Sequence, residues 1–369
     1  MQKILTGIGN LGDALKGSTK VLLVCDSSFP FLNIKDDIED MDVPYVVFDQ
    51  FTPNPLYDDV CKGVELFNRE QCDTILAVGG GSSLDVAKCI KLYSKMDPSQ
   101  VYLEQEYTDT GVKLIAVPTT AGTGSESTRY AVIYYQGKKQ SVTHESIVPD
   151  IAILEPKVLK TLPLYQKKCT MMDALCQGIE SWWSVNSTDE SKVFSKSAVS
   201  TIMQWWHEYI FENTDEAAAH IMRAANDACR AICITQTTAA HAFSYKITSL
   251  YRLPHGHAVA VGLPVIWEYM TAHPEKCIDP RGIEYLSDTF NAIAECMGAA
   301  SAQDAITLFH SMMEEMELQS PQSSDRNSEL EILSTSVNPV RLKNNPVELD
   351  GQTIRQLYEV IVKEKRFCY

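Results

Sequence analysis

The run Thr74-Ile-Leu-Ala-Val78 passes directly into Gly79-Gly80-Gly81-Ser82-Ser83, and a helix-compatible stretch follows from Leu84. A buried strand that ends in glycines at the mouth of a helix brings backbone N–H groups onto an anion. Glycine permits positive φ and close approach, and the first amides of a helix are unpaired and sit at the positive end of its dipole. A glycine triplet alone also serves a tight strand-to-helix turn. The run is neither G-x-G-x-x-G nor followed by a Walker lysine. With a strand before it and a helix after it, the segment fits a phosphate cradle.

The same texture recurs through the first 155 or so residues. Val21–Cys25, Tyr45–Phe48 and Leu114–Val117 are further short apolar runs closed by turn residues, and Asp58 to Asn68 has a helical pattern. Buried strands alternating with helices indicate parallel βαβ units. Arg129–Tyr135, Gln136-Gly137-Lys138 and Gln140–Thr143 read as a hairpin appended to that sheet. After Pro163 the segments 171–185, 189–213, 215–246, 284–298 and 302–316 are helix-compatible, and the polar strip Ser323–Ser328 reads as a loop. The expected architecture is an α/β dinucleotide-binding domain over 1–160 and an all-α domain over 161–369. Ligand sites favour clefts between such domains.

Net charge is −16, which argues against duplex DNA or an anionic membrane surface as partner, since both need basic patches. The 11 cysteines are scattered with no CxxC pair, so a disulfide framework is not expected and a reducing compartment fits. Neither a leader-like apolar segment nor a run of about 20 apolar residues occurs. The expectation is a cytoplasmic protein.

A second loop, Pro118-Thr119-Thr120-Ala121-Gly122-Thr123-Gly124-Ser125-Glu126, also follows a strand and is crowded with hydroxyls and small residues. Loops at the carboxyl ends of parallel strands line the ligand crevice, so two of them suit a long ligand with a pyrophosphate in its middle. Asp26, ending the first strand, fits either a ribose acceptor or a turn-forming aspartate. In the helical half, Asp173 and Gln177 share one helix face at i, i+4. His241 lies in a small-residue stretch, and Leu253-Pro-His255-Gly-His257 follows. One carboxylate with two imidazoles can hold a catalytic divalent metal with a position left for substrate oxygen. His241 also fits a satisfied core histidine, and His255 a turn residue.

These motifs taken together resemble the iron-containing (group III) alcohol dehydrogenases, related in fold to glycerol dehydrogenase and dehydroquinate synthase. The likeness runs through Pro53-Asn54-Pro55, GGGSSLDVAK at 79–88, PTTAGTGSE at 118–126, Pro149–Pro156, MDALCQGIES at 172–181 and Leu253-Pro-His-Gly256. It implies a dehydroquinate synthase-like fold and reversible hydride transfer with NAD(P)H. It assigns the cofactor to Gly80, Gly81, Ser82, Asp85, Thr119, Thr120, Thr123 and Ser125, while an acid at Asp26 favours NAD over NADP. The implied metal ligands are an aspartate, a histidine four residues later, and two histidines fourteen apart. They fall on Asp173, Gln177, His241 and His255, with glutamine where the family has histidine. An amide oxygen is a poorer ligand than imidazole, yet an Asp-His-His set with iron, zinc or nickel remains workable. A histidine the family often has near the nicotinamide is Tyr245 here. Without metal, Tyr245, His241, His255 and His257 are the candidate acids; Tyr245 and His257 are taken as the catalytic pair.

The stretch 177–192 is similar to that of enzymes reducing phosphonoacetaldehyde to 2-hydroxyethylphosphonate, which calls for cations near the substrate. Arg129, Lys192, Lys246 and Arg252 are the basic residues in reach, each of which also fits a solvated surface charge. Two alternatives stand beside this reading: a generic short-chain alcohol or glycerol-type dehydrogenase, and a dehydroquinate synthase-like lyase, which needs a glutamate first ligand and more basic residues. A small-molecule aldehyde or alcohol as substrate, no nucleic acid, no membrane and a homodimer are the expected partnerships.

Overall fold

The computed structural model describes residues 2–337 and 339–365. The chain divides into two compact units, one of Met1–Pro163 with Glu212–Asn226, the other of Leu164–Phe211 with Asp227–Tyr369.

In the first unit six strands form one parallel sheet. They are β1 (Lys3–Thr6), β2 (Val21–Cys25), β3 (Tyr45–Phe48), β4 (Thr74–Gly79), β5 (Lys113–Pro118) and, after a separate hairpin, β8 (Ile151–Leu154). Their order is β1-β8-β5-β4-β2-β3. Every residue of β2 and β4 is buried, as expected of strands covered on both faces, and this is why they read as continuous apolar runs. The edge strand β1 and its neighbour β8 are only four residues long and did not stand out in the sequence. The helices are α1 (Leu11–Ala14), α2 (Lys35–Glu39), α3 (Tyr57–Arg69), α4 (Gly81–Tyr93) and the N-terminal part of α7 (Asp215–Thr235). Along α3, Tyr57, Val60, Val64 and Phe67 face the core while Asp58, Lys62 and Glu65 are left to solvent, the spacing of one apolar stripe.

The hairpin β6 (Tyr130–Tyr135) and β7 (Lys138–Thr143) forms its own two-stranded antiparallel sheet. It is not appended to the large sheet, which corrects the sequence expectation. Gln136 and Gly137 both have positive φ, the geometry of a two-residue hairpin turn matched to strand twist.

The second unit is built from α5 (Leu164–Trp183), α6 (Asp189–His207), the C-terminal part of α7 (Asp215–Thr235), α8 (Ala239–Tyr251), α9 (His255–Ala260), α10 (Leu263–Ala272), α11 (Ile283–Cys296), α12 (Ala302–Glu315), α13 (Arg326–Thr335), α14 (Pro339–Leu342) and α15 (Gly351–Ile361). Two further short strands, β9 (Gln322–Ser323) and β10 (Lys363–Glu364), pair in parallel. The helix expected over 215–246 is broken at 236–238, where Gln236 takes φ 61 and α8 starts afresh. The polar strip 323–328 is only in part a loop: Ser323 ends β9, Ser324 and Asp325 form a bend, and α13 starts at Arg326, with Asp325 accepting from the Ser328 amide as N-cap. From Lys167 onward α5 is buried almost all round, which marks it as the central helix of its unit. Trp183, Trp267 and Phe290 pack around it with ring centroids 5.4–6.2 Å apart. No helix among the described residues is long and apolar enough to cross a membrane.

Candidate functional site

In the first unit, β4 and β5 are neighbours with Gly79 in register with Pro118, so the glycine loop and the 118–126 loop leave the sheet side by side. From β2 the chain goes to β3 on one flank, then returns to β4 on the other. The strand order therefore reverses at the carboxyl ends of β2 and β4, where open parallel sheets bind ligands. Asp26 and Ser83 meet there, the Ser83 hydroxyl donating to Asp26 at 2.9 Å. Asp26 also accepts from the Ser28 amide at 2.8 Å, so it forms the turn while standing at the reversal.

The helix begins at Gly81, three residues before the expected Leu84, and Gly81, Ser82 and Ser83 are its first turn. No side chain caps this end, whereas Thr188, Ser301 and Asp350 cap α6, α12 and α15. Its bonding ladder opens at Leu84 N–H to Gly80 C=O, leaving earlier amides for an anion. Gly79 has φ 153, and a Cβ there would lie 2.3 Å from the Ser83 hydroxyl. A Cβ on Gly81 would lie 3.0 Å from the Thr123 hydroxyl, so the two loops touch and bulk is excluded where they meet.

The cofactor positions sort into two groups. Gly80, Gly81, Ser82, Thr120 and Thr123 are half-exposed along the loop edges, whereas Thr119 and Ser125 are buried. Asp85 accepts from the Ser125 hydroxyl at 2.7 Å and the Val132 amide at 3.0 Å. The buried Lys88 ammonium donates to Ser125 at 2.8 Å, Thr128 at 3.1 Å and the Tyr130 carbonyl at 2.9 Å. Buried Glu126 accepts from Asn226 at 2.9 Å. Asp85 and Ser125 thus use these polar atoms to hold the loop, and Lys88 completes that frame.

In the second unit, Asp173, Gln177 and Glu180 form a polar stripe on α5, whose spacing of four and three puts them on one face. The Nε2 of His241, from α8, lies 3.3 Å from Asp173 Oδ1, and the Nε2 of His255, from α9, lies 4.0 Å from the same oxygen. The donor atoms of Asp173, His241 and His255 all fall within 4.8 Å of one another. Asp173 and His241 are buried; the His255 side chain is 37% exposed, which makes it the open side of the cluster. Close packing of α9 on α5 depends on Gly256, where a Cβ would lie 1.9 Å from the Cys169 carbonyl oxygen and 2.8 Å from Asp173 Cβ.

Glu180, which sequence reasoning did not single out, is fully buried behind His241. One oxygen accepts from the Thr238 amide (3.1 Å) and hydroxyl (2.7 Å) and from the Ala240 amide (2.9 Å). The other meets His241 Nδ1 in a short contact. Such a carboxylate turns the far nitrogen of the imidazole outward, as outer partners of ligating histidines do. Burial alone would depress His241, but Glu180 and Asp173 outweigh it and raise it to about 9. Burial pushes the Asp173 carboxyl up, and the charges of His255 and His241 with a hydrogen bond from Gln177 bring it below its ordinary value.

Asp173 Oδ1 and His241 Nε2 are shut off from solvent; they face each other at 3.3 Å, and neither makes a well-formed hydrogen bond among the described residues. Such atoms are rare in native proteins, and a divalent cation facing both and His255 Nε2 would satisfy them. One carboxylate and two imidazoles are a donor set for zinc, iron or nickel. Gln177 stands beside Asp173, and its Oε1 lies 3.7 Å from the Cys229 thiol. Tyr245, one helical turn beyond His241, stacks on His255 with centroids 6.0 Å apart and planes within 6°. His257 does not join the cluster. Two residues along a helix point to opposite sides, and its ring nitrogens meet the Tyr165 hydroxyl at 2.8 Å and the Gln319 carbonyl at 2.9 Å.

The model of the family "Iron-containing alcohol dehydrogenase" matches residues 2–156, and that of its C-terminal domain matches 168–362. Phosphonoacetaldehyde reductase of Streptomyces viridochromogenes is 32% identical over 287 residues, which cover 74% of this chain and 72% of that protein. 1,3-Propanediol dehydrogenase of Klebsiella pneumoniae is 30% identical over 79% of this chain and 78% of its own. The solved iron-containing alcohol dehydrogenase of Thermococcus thioreducens superposes with a TM-score of 0.87 over 97% of both chains at 23% identity, a likeness of fold.

Proposed function

The chain belongs to the iron-containing alcohol dehydrogenase family and is an NAD-dependent aldehyde/alcohol oxidoreductase, and from that premise we propose that it reduces phosphonoacetaldehyde to 2-hydroxyethylphosphonate. The observation that carries the chemistry is the convergence of Asp173, His241 and His255. The substrate rests on the likeness to a phosphonoacetaldehyde reductase over 74% of the chain.

When bound, the nicotinamide supplies the hydride and a divalent cation a Lewis acid for the carbonyl oxygen. Asp173, His241 and His255 are the residues that would hold the cation, with Gln177 at the edge of the set. Glu180 keeps His241 Nε2 turned towards Asp173. The loops 79–83 and 118–126 take the dinucleotide, and Asp26 favours an unphosphorylated ribose. Burial holds the Tyr245 phenol above its ordinary value, so at neutral pH it carries its proton. Stacked on His255, Tyr245 Oη gives that proton to the nascent alkoxide and completes the alcohol. His257, with both nitrogens engaged, is not part of this scheme. The 1,3-propanediol dehydrogenase likeness favours a neutral short-chain aldehyde as the second reading.

Initial rates of NADH and NADPH oxidation with phosphonoacetaldehyde, propanal and lactaldehyde separate the two. The expected result is a kcat/KM for phosphonoacetaldehyde at least about tenfold above the neutral aldehydes, the discrimination of one charge-assisted contact. Equal or lower efficiency with phosphonoacetaldehyde would overturn the substrate.

A further inference from the structure

The two histidines of the cluster are backed differently. Behind His241 stands a buried carboxylate, Glu180, which meets its Nδ1 and so turns Nε2 towards Asp173. His255 comes from α9, and its Nε2 lies 4.0 Å from Asp173 Oδ1. An imidazole can face a cation with either ring nitrogen, and the one that does so must be free of hydrogen. Which nitrogen that is depends on what the other one meets.

At His255 Nδ1 stands Ser244. This serine lies on α8, three residues after His241, and is fully buried. Its hydroxyl donates to the His241 carbonyl at 2.8 Å, a bond back along its own helix. The same oxygen lies 3.4 Å from His255 Nδ1. A hydroxyl has one hydrogen to give. With that hydrogen on the carbonyl, Ser244 Oγ can only accept from His255, so the contact is a hydrogen bond when Nδ1 carries the hydrogen. Nε2 is then bare, and Nε2 is the nitrogen that faces Asp173. Stacking cannot make this choice. Tyr245 lies parallel to the His255 ring and His241 meets it edge-on, 5.4 Å between centroids, which holds the plane of the ring. A half-turn within that plane would put Cε1 where Nε2 stands, and a hydrogen bond at Nδ1 is what tells the two arrangements apart.

We propose that Ser244 is the positioning residue of His255, holding the ring so that a bare Nε2 faces the cation site. This assignment rests on the reading of Asp173, His241 and His255 as the residues that hold the divalent cation, and names the group that makes the third of them a ligand. Ligating histidines ordinarily have such an outer partner. Here α5 supplies Glu180 for His241, and α8 supplies Ser244 for His255. The two partners differ in strength. Glu180 is a carboxylate held by several donors, whereas Ser244 offers a neutral oxygen at 3.4 Å, long for an N–H···O bond. Loss of Ser244 therefore belongs at the lower end of what outer partners cost.

The test compares Ser244→Ala with the wild type and with Ser195→Ala, reading Zn²⁺ affinity by competition with a chelator and the visible absorption of the Co²⁺-loaded protein. Ser195 is also a fully buried serine bonded back along its helix, to the Ser191 carbonyl at 2.9 Å, and meets Ser181 instead of a histidine. The expected result for Ser244→Ala is Zn²⁺ binding weaker by about tenfold and an altered Co²⁺ spectrum, with Ser195→Ala like the wild type in both. Ser244→Cys, close in shape and a weaker acceptor, should fall between wild type and alanine; it supplies the comparison if the alanine variant does not fold. Wild-type affinity and spectrum in the Ser244 variants would overturn the inference while sparing the cation site. Equal losses in Ser244→Ala and Ser195→Ala would show a structural role only and overturn it as well. A wild type that binds neither ion would overturn the reading of the cluster itself.

Discussion

At Glu180 one carboxylate closes the first turn of α8 and aims His241. The Thr238 and Ala240 amides would otherwise be orphan donors in the interior, and His241 Nδ1 would lose its acceptor. Glu180→Gln replaces an acceptor oxygen with an amide that also carries donors, set against a ring nitrogen and two N–H groups. Breaking a buried pair of this kind costs about 3 kcal/mol; a denaturant titration should show it, and the metal content of the purified protein should fall. A variant with wild-type stability and metal would show that Glu180 does not orient the cluster. Gln177 poses the complementary question. It falls at the second ligand position that the family resemblance implies, one turn from Asp173, so Gln177→His should tighten divalent metal binding at least about tenfold in competition with a chelator, imidazole being the better donor. Unchanged affinity would remove Gln177 from the ligand set. Glu180 was not singled out in the sequence, though it could have been found as the third member of the stripe 173-177-180 on an otherwise apolar helix.

At the scale of elements, the loop 118–128 is held by a buried lysine as well as by its own turn at Ser125–Ser127. Three donors from Lys88 reach Ser125, Thr128 and Tyr130, and Asp85 faces the same serine. Lys88→Met keeps the apolar stem and removes the donors, so the loop loses its frame while α4 stays packed. The KM for NAD(P)H should rise about tenfold or more, equivalent to one or two such bonds, with a much smaller change in KM for the aldehyde. Equal changes in both would point to general loosening of the fold. The strands β2, β4 and β5 were legible because burial on both faces makes them continuous apolar runs; β3, at the sheet edge with Val47 exposed, was legible only as a short apolar run closed by turn residues. The break at 236–238 was not, since Thr-Gln-Thr-Thr reads as a passable helix and only the Glu180 carboxylate gives Thr238 a reason to start a new one. The start of α4 was misplaced by three residues because glycine and serine, weak helix formers, supply its first turn.

For the whole molecule, the sequence conveyed the division of labour better than the details. Ordered motifs put the loops 79–83 and 118–126, proposed to take the dinucleotide, in one unit and the Asp-His-His cluster in the other, and the two family models match one segment each. An acidic net charge of −16 sharpens the need for a local cation if the substrate is an anion. The central claim is that Asp173, His241 and His255 are the reaction centre of a reductase. Its most direct measurement is NAD(P)H oxidation with phosphonoacetaldehyde by the wild type and Asp173→Asn, with divalent metal quantified in the same two preparations. The expected result is turnover with bound metal in the wild type, and loss of the metal with at least about 100-fold of kcat/KM in the variant, more than a change behind a ligand costs. Wild-type turnover by Asp173→Asn would contradict it.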